Sequence, residues 1–284
     1  MTVTKVNLVT DFVGSTQMIR ADMIASWMNQ RLYRQGRVYD LKLDYDHDGT
    51  ETVDVYALNP TWILKESWKL AFKVFQKHTA DERALIKDKV ARWYDFRIQD
   101  SVIGAGVLKP VDYSLPSIGA VYNPIAATNQ PAEYAYSTID NESGTTYSFA
   151  LDNVGVGTPL RIIQEYLEAY NYQSEPSSTI SNDVPYGQLD EDLQDANVGH
   201  LMAAGNDAPY HGQPNHTDRM WVKIGTLGTA APGVQRLTTG YFEAPLGMVA
   251  IQGYTEATPA DTKLTLCYKA GNYKGISARS MEDL

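Results

Sequence analysis

Residues 37–58 read RVYDLKLDYDHDGTETVDVYAL. Two alternating runs, Arg37 to Tyr45 and Thr50 to Leu58, flank a polar turn. Val38, Leu41 and Leu43 are the apolar positions before that turn; Val53, Val55 and Ala57 are those after it. A two-residue period sends successive side chains to opposite faces of a strand. Asp46-His47-Asp48-Gly49 has the composition of a tight turn, so the stretch predicts a β-hairpin. The same turn carries a second reading. Asp44, Asp46, Asp48 and Gly49 match the first half of a calcium loop, with hard oxygen ligands on alternate residues and a glycine at the bend. The twelfth position is Val55, where a bidentate Glu is expected, and the flanks are strands. A plain acidic turn is the simpler reading, and a structural calcium at Asp44, Asp46 and Asp48 the alternative.

Downstream, the period changes. Trp62, Leu64, Trp68, Ala71, Phe72 and Phe75 recur every three or four residues, the apolar stripe of a helix opened by Pro60 and Thr61. Lys65, Lys69, Lys73 and Lys77 lie four apart and form one basic stripe. It reads either as a solvated face or as a surface for nucleic acid or an acidic neighbour. Thr79 and Glu82 have capping-box spacing, predicting a second helix over 80–90. Arg92-Trp93-Tyr94-Asp95-Phe96-Arg97-Ile98 has strand composition. Upstream, residues 16–32 predict a helix through Met18, Ile19, Met23, Ile24, Trp27 and Met28. Arg31, Arg34 and Arg37 follow it, as a solvated helix end or as phosphate contacts.

Farther on, strands are predicted over 132–139 and 145–151. A helix opens at Thr158-Pro159, another spans 188–204, and four strand candidates lie between Met220 and Lys269. Residues 270–284 read as a polar tail. His211 and His216 sit in a polar loop over 206–218. With His200, Asp207 and Asp218 they could be drawn as a metal site, but no spacing fixes ligands on one face, and they read as loop histidines.

Composition narrows the function classes. The chain has 284 residues, with 24 Lys and Arg against 34 Asp and Glu. A net charge of −10 makes a poor general nucleic-acid binder, because that affinity comes from neutralised phosphates. The imbalance is local: residues 1–100 hold 15 basic against 14 acidic side chains, residues 151–284 hold 8 against 16. One cysteine, Cys267, excludes an intrachain disulfide framework and reads as a buried core thiol. No apolar run suggests a membrane-spanning segment. Phosphate loops and nucleophile elbows are absent, and no acid/base pair stands out, so an enzyme is not expected.

The strand count, with helices in two long connections, suits a mainly β protein with helical insertions: a jelly-roll sandwich. The expected layout is an N-terminal arm and helix over 1–36, a jelly-roll domain over 37–270 with helical insertions near 60–90 and 158–204, and a tail over 271–284. Arg92 to Ile98 after the aromatic-lysine helix, and Thr239-Gly240-Tyr241-Phe242-Glu243-Ala244-Pro245-Leu246-Gly247 before a late strand, resemble capsid proteins of small tailless DNA viruses. The resemblance is to the single jelly-roll capsid proteins of small circular single-stranded-DNA viruses, ahead of the double jelly-roll capsid proteins of small bacteriophages. It implies a structural major capsid protein of the virion that self-assembles into an icosahedral shell. Its partners would be copies of itself, the viral genome and other virion components, with no cofactor. Loop tyrosines Tyr113, Tyr122, Tyr134, Tyr136, Tyr186 and Tyr210 are candidate subunit contacts. One departure matters: many such proteins carry an arginine-rich arm, and here only Lys5 and Arg20 precede Arg31. Genome contact then falls to Lys65, Lys69, Lys73 and Lys77 with Arg31, Arg34 and Arg37, or to another component. The other function class is a calcium-assisted, carbohydrate-binding β-sandwich.

Overall fold

The structure, a computed structural model, describes residues 2–8, 16–47, 52–85, 95–99, 136–141, 143–151, 158–171, 220–228, 235–254 and 263–284. In chain order these give β1 (Lys5–Leu8), β2 (Thr16–Arg20), α1 (Ala21–Asn29), β3 (Arg37–His47), β4 (Thr52–Leu58), α2 (Trp62–His78) and α3 (Ala80–Leu85). Then come β5 (Thr138–Asp140), β6 (Thr146–Ala150), β7 (Thr158–Arg161) and α4 (Ile162–Asn171). The last third supplies β8 (Trp221–Gly228), β9 (Gln235–Thr238), β10 (Phe242–Pro245), β11 (Met248–Tyr254), β12 (Lys263–Tyr268), β13 (Ala270–Gly271), β14 (Gly275–Ile276) and β15 (Ala278–Ser280).

The fold is mainly β, built on two antiparallel sheets. The first runs β1-β12-β3-β10, with β9 and β15 also pairing β3; the second runs β2-β11-β4-β8. The two runs of residues 37–58 are strands, but they enter different sheets: β3 lies between β12 and β10, β4 between β11 and β8. They are consecutive in sequence without being a paired hairpin, because each finds its partners in the C-terminal third. The alternation fixes which residues face inward. Leu41, Leu43 and Tyr45 of β3, Val53 and Val55 of β4, Val249 and Ile251 of β11 and Leu264 and Leu266 of β12 share one buried core between the sheets. The intervening Met248 and Ala250 of β11, with Met18 of β2, face the other way into a second core. That core holds α2 and α4 through Ile63, Leu64, Trp68, Phe75, Ile162 and Ile163. The second sheet therefore buries apolar side chains on both faces, with the Asp54–Lys223 pair also on its outer one, while the first carries Lys42 and Asp44 on its outer face.

Four local predictions change. Residues 16–20 are strand, not helix: α1 starts only at Ala21, whose N–H donates to the Gly247 carbonyl at 2.8 Å. Pairing with β11 outweighs local helix preference, sending Met18 to one core and Ile19 to the other. Thr158-Pro159 opens strand β7 rather than a helix, and α4 begins four residues later. Among the described residues β7 pairs only with β6, and Pro159 is tolerated because an edge strand need not donate on its free side. Residues 95–99 form no regular strand. Their backbone is satisfied partly by side chains: Gln35 accepts from the Ile98 N–H at 2.6 Å and donates to its carbonyl at 2.9 Å, and Ser137 Oγ accepts from the Arg97 N–H at 2.9 Å. It is satisfied partly by backbone, since the Arg97 carbonyl accepts from the Ser137 N–H at 2.8 Å and the Gln99 N–H donates to the Phe149 carbonyl at 2.8 Å. Among the described residues the segment's one ladder contact is the parallel bridge from Gln99 to Ala150. Finally, the expected tail over 271–284 completes the first sheet. β15 pairs β3 from Ala278↔Tyr39 to Ser280↔Arg37, and Met281 is buried. Residues 1–36, expected as arm and helix, likewise contribute β1 and β2 to the two sheets.

The predicted helix over 188–204, His200, His211, His216, Asp207 and Asp218, and Tyr113, Tyr122, Tyr134, Tyr186 and Tyr210 lie outside the described residues, as do 86–94. Among the described residues, no helix is long and apolar enough to cross a membrane.

Candidate functional site

The lysine stripe sits on α2. Thr61 caps the helix by accepting from the Leu64 N–H at 3.4 Å, and Ile63, Leu64, Ser67, Trp68, Ala71 and Phe75 bury its inner side. The four lysines do not behave alike. Lys65 Nζ donates to the Leu284 backbone oxygen at 2.8 Å, tying the chain end to the helix. Lys69 pairs with Glu66 at 3.0 Å. Lys73 and Lys77, one and two turns on, are exposed. Half the stripe is thus committed inside the chain.

Asp44 is mid-strand in β3 rather than at the turn, and 4% exposed. Lys42 Nζ lies 3.0 Å from it, and the Cys267 thiol donates to it at 3.5 Å. Burial pushes the Asp44 carboxyl up, but hydrogen bonds from Lys42 and Thr238 and the Lys42 charge outweigh it, leaving the carboxyl below its ordinary range. Burial, then the Asp44 charge, raises the Cys267 thiol, consistent with an inert structural cysteine. Asp46 lies two residues on in β3, and Asp48 is outside the described residues. No group of three or more His, Cys, Asp or Glu side chains placed to hold a metal occurs among the described residues.

The arginines lie where α1 turns into β3. Gln30 ends α1 with left-handed backbone, φ 50°. Arg31 and Arg34 are exposed and Arg37 is half-buried. The fold brings a fourth cation to them from the far end of the chain. β13 and β14 form a hairpin whose tip, Tyr273-Lys274-Gly275, lies against residues 32–37. The Tyr33 hydroxyl donates to the Lys274 carbonyl at 2.8 Å, the Arg34 N–H donates to the Tyr273 hydroxyl at 3.2 Å, and Lys274 Nζ donates to the Leu32 carbonyl. The Arg37 guanidinium stacks over the Tyr273 ring, 3.7 Å from its centroid, while one N–H donates to the Ala278 carbonyl at 2.9 Å. Tyr33 meets Tyr273 edge-on at 5.7 Å. Burial, then Arg34, Arg37 and Arg31, depress the proton affinity of Lys274. Behind the group, Asp95 accepts the Gln35 N–H at 2.9 Å; burial raises its carboxyl to about 6, against opposing pulls from that hydrogen bond, Arg97 and Arg34.

Sequence reading found Arg31, Arg34 and Arg37 but missed Lys274, Tyr33 and Tyr273. The available signal was Gly271-Asn272-Tyr273-Lys274-Gly275, a glycine- and asparagine-rich turn inside what reads as a polar tail. Lys65 to Lys77 and Arg31 to Arg37 remain two separate basic features, one along a helix and one at a loop junction. Comparison with protein-family models, curated proteins and solved structures finds no match to this chain.

Proposed function

We propose that this chain is a coat subunit: a single jelly roll whose copies self-assemble into the icosahedral shell of a virion around its genome. The strand order carries the reading. Taking β9 and β10 as one bulged strand, the eight sandwich strands pair first with last, second with next-to-last, and so inward: β1 with β12, β2 with β11, β3 with β10, β4 with β8. A long antiparallel hairpin rolled into two layers gives that nesting, and two four-stranded sheets built from it make a jelly roll. The long insertion between β4 and β8, carrying α2, α3 and α4, sits where the rolled hairpin turns back, so it can vary without disturbing any pair. The described residues supply one such nested set, and the three-stranded sheet β5-β6-β7, with its parallel pair, does not repeat it. This favours a single jelly roll over a double one.

Jelly rolls also occur in lectins, so fold alone leaves the activity open. A calcium-assisted carbohydrate site gains little from Asp44, whose carboxylate faces Lys42. The sequence resemblance to capsid proteins tips the choice toward a shell. The test is assembly: light scattering and negative-stain microscopy of the purified chain at low and high salt, with and without nucleic acid. Regular closed particles of many subunits are the expected result. A monodisperse monomer under all four conditions would overturn the reading.

A further inference from the structure

We propose that Arg31, Arg34, Arg37 and Lys274 form a binding site for a phosphate group, presented either by a polynucleotide backbone or as free inorganic phosphate. These cations lack counter-ions among the described residues. Five basic side chains elsewhere in the sandwich are matched, Arg20 with Asp22, Lys42 with Asp44, Lys223 with Asp54, Lys269 with Asp40 and Arg279 with Glu243, whereas Lys5 on β1 and Lys263 on β12 pair with no carboxylate among the described residues. Among the described residues no carboxylate pairs with Arg31, Arg34, Arg37 or Lys274, although acidic side chains outnumber basic ones in the chain. Like charges gathered without counter-ions repel, and an anion relieves them.

Two of the four cations, Arg37 and Lys274, are held in place rather than free at the surface, and Arg31 and Arg34 are exposed beside them. Lys274 occupies left-handed backbone at φ 52°, followed by Gly275 at φ 95°, where an added Cβ would collide with Thr2. Hydrogen bonds from Tyr33 and to Tyr273 lock the hairpin tip against the Arg34 backbone. Stacking on Tyr273 fixes the plane of the Arg37 guanidinium; the bond to Ala278 uses one N–H and leaves the rest of the fork available. A planar, held guanidinium beside an ammonium is the donor geometry that suits a tetrahedral oxyanion. Asp95, the carboxylate whose field reaches Lys274, is committed to the Gln35 N–H. A single carboxylate from another protein would neutralise one of four charges, whereas a dianionic phosphate or successive diesters match more of them.

The site does not depend on the shell reading, since a monomer would present the same cations. The test uses the full chain and fluorescence anisotropy of a labelled oligothymidylate across a salt series. Arg31→Ala, Arg34→Ala and Lys274→Ala are combined; all three residues are exposed, and Arg37 is left intact because it holds Ala278. The expected result is a tenfold or greater loss of affinity at low salt and a salt slope shallower by about 2, given roughly 0.7 per single-strand phosphate. Lys73→Ala with Lys77→Ala should change binding less. If inorganic phosphate raises the melting temperature of the parent but not of the triple variant, and the oligonucleotide does not bind, the ligand is free phosphate. An unchanged affinity and slope in a triple variant with native circular dichroism overturns the proposal. So does binding of polyglutamate with no response to either phosphate probe, which would mark an acidic protein surface instead.

Discussion

The two apolar cores share one sheet and differ in how they are closed. The inner core is closed by strands against strands, through Leu43, Tyr45, Val55, Ile251 and Leu266, on a two-residue period. The outer core is closed by helices and by a short irregular segment. Phe96 stands at its centre, with ring centroids 5.1 Å from Phe75, 5.1 Å from Phe149, 5.5 Å from Phe72 and 6.3 Å from Trp68. Regular pairing positions the inner residues. In the outer core, by contrast, the backbone bearing Phe96 is held by the side chains of Gln35 and Ser137 together with a few backbone bonds from Arg97 and Gln99. One core is specified by periodicity, the other by a few polar clamps.

The largest test of that contrast truncates one ring or branch in each core. Phe96→Ala should cost about 3–5 kcal/mol and Ile251→Ala about 2–5 kcal/mol, since each leaves a buried cavity. Because β11 lines both cores, the two variants should lower a single calorimetric transition. Two transitions, with Phe96→Ala moving only one, would show that the outer layer melts on its own.

Next in size is the clamp. Gln35→Met keeps the volume but strands the Ile98 N–H and carbonyl in a buried site, an expected cost of about 2–4 kcal/mol. Urea unfolding should show it, together with faster hydrogen exchange at Ile98. A cost below about 0.5 kcal/mol would mean that the outer core needs no such clamp.

A smaller, pH-dependent effect comes from Asp95. Its folded carboxyl titrates near 6, above the ordinary value of about 3.9, so the folded state holds the proton more tightly. The stabilisation linked to that proton is full below about pH 4 and is lost as pH rises through about 6. Asp95→Asn, which can still accept from Gln35, should flatten that slope and add about 1–3 kcal/mol at pH 7. An unchanged slope in the variant would remove Asp95 from the account. The smallest effect expected is Thr61→Ala at the α2 cap, about 1 kcal/mol by urea unfolding.

How far the sequence is legible follows the same division. The runs at 37–58, 248–254 and 263–268 are strands because alternation needs no knowledge of the partner. α2 is readable for a similar reason, its stripe running from Leu64 to Phe75. What alternation does not carry is pairing: residues 37–58 read as one hairpin, yet β3 and β4 belong to different sheets. Residues 16–20 and Pro159 mislead because their conformation is set by strands elsewhere in the chain, β11 near its far end and β6 a short way upstream. Residues 95–99 look like a strand, but among the described residues only Arg97 and Gln99 bond to neighbouring backbone, while Ile98 is held by the Gln35 side chain. The cationic group was half legible, since Arg31, Arg34 and Arg37 are adjacent in sequence while Lys274 reaches them only through the β13–β14 hairpin.

The functional reading requires the first strand to lie beside the last long one, β1 beside β12, as in a rolled hairpin. Lys5 and Cys267 are opposite each other in the β1·β12 register. The Tyr268 N–H donates to the Thr4 carbonyl at 2.8 Å, which makes 4↔268 a hydrogen-bonded pair and 5↔267 a non-bonded one, with Cα atoms about 4.5 Å apart. That separation admits a disulfide. Oxidising Lys5→Cys should join it to the native Cys267 within one chain, seen as one cross-linked peptide by mass spectrometry, while Asn7→Cys, which faces Thr265, should react far more slowly. If Lys5→Cys links no faster than Asn7→Cys, or links only between chains, the rolled-hairpin fold and the shell reading built on it are both contradicted.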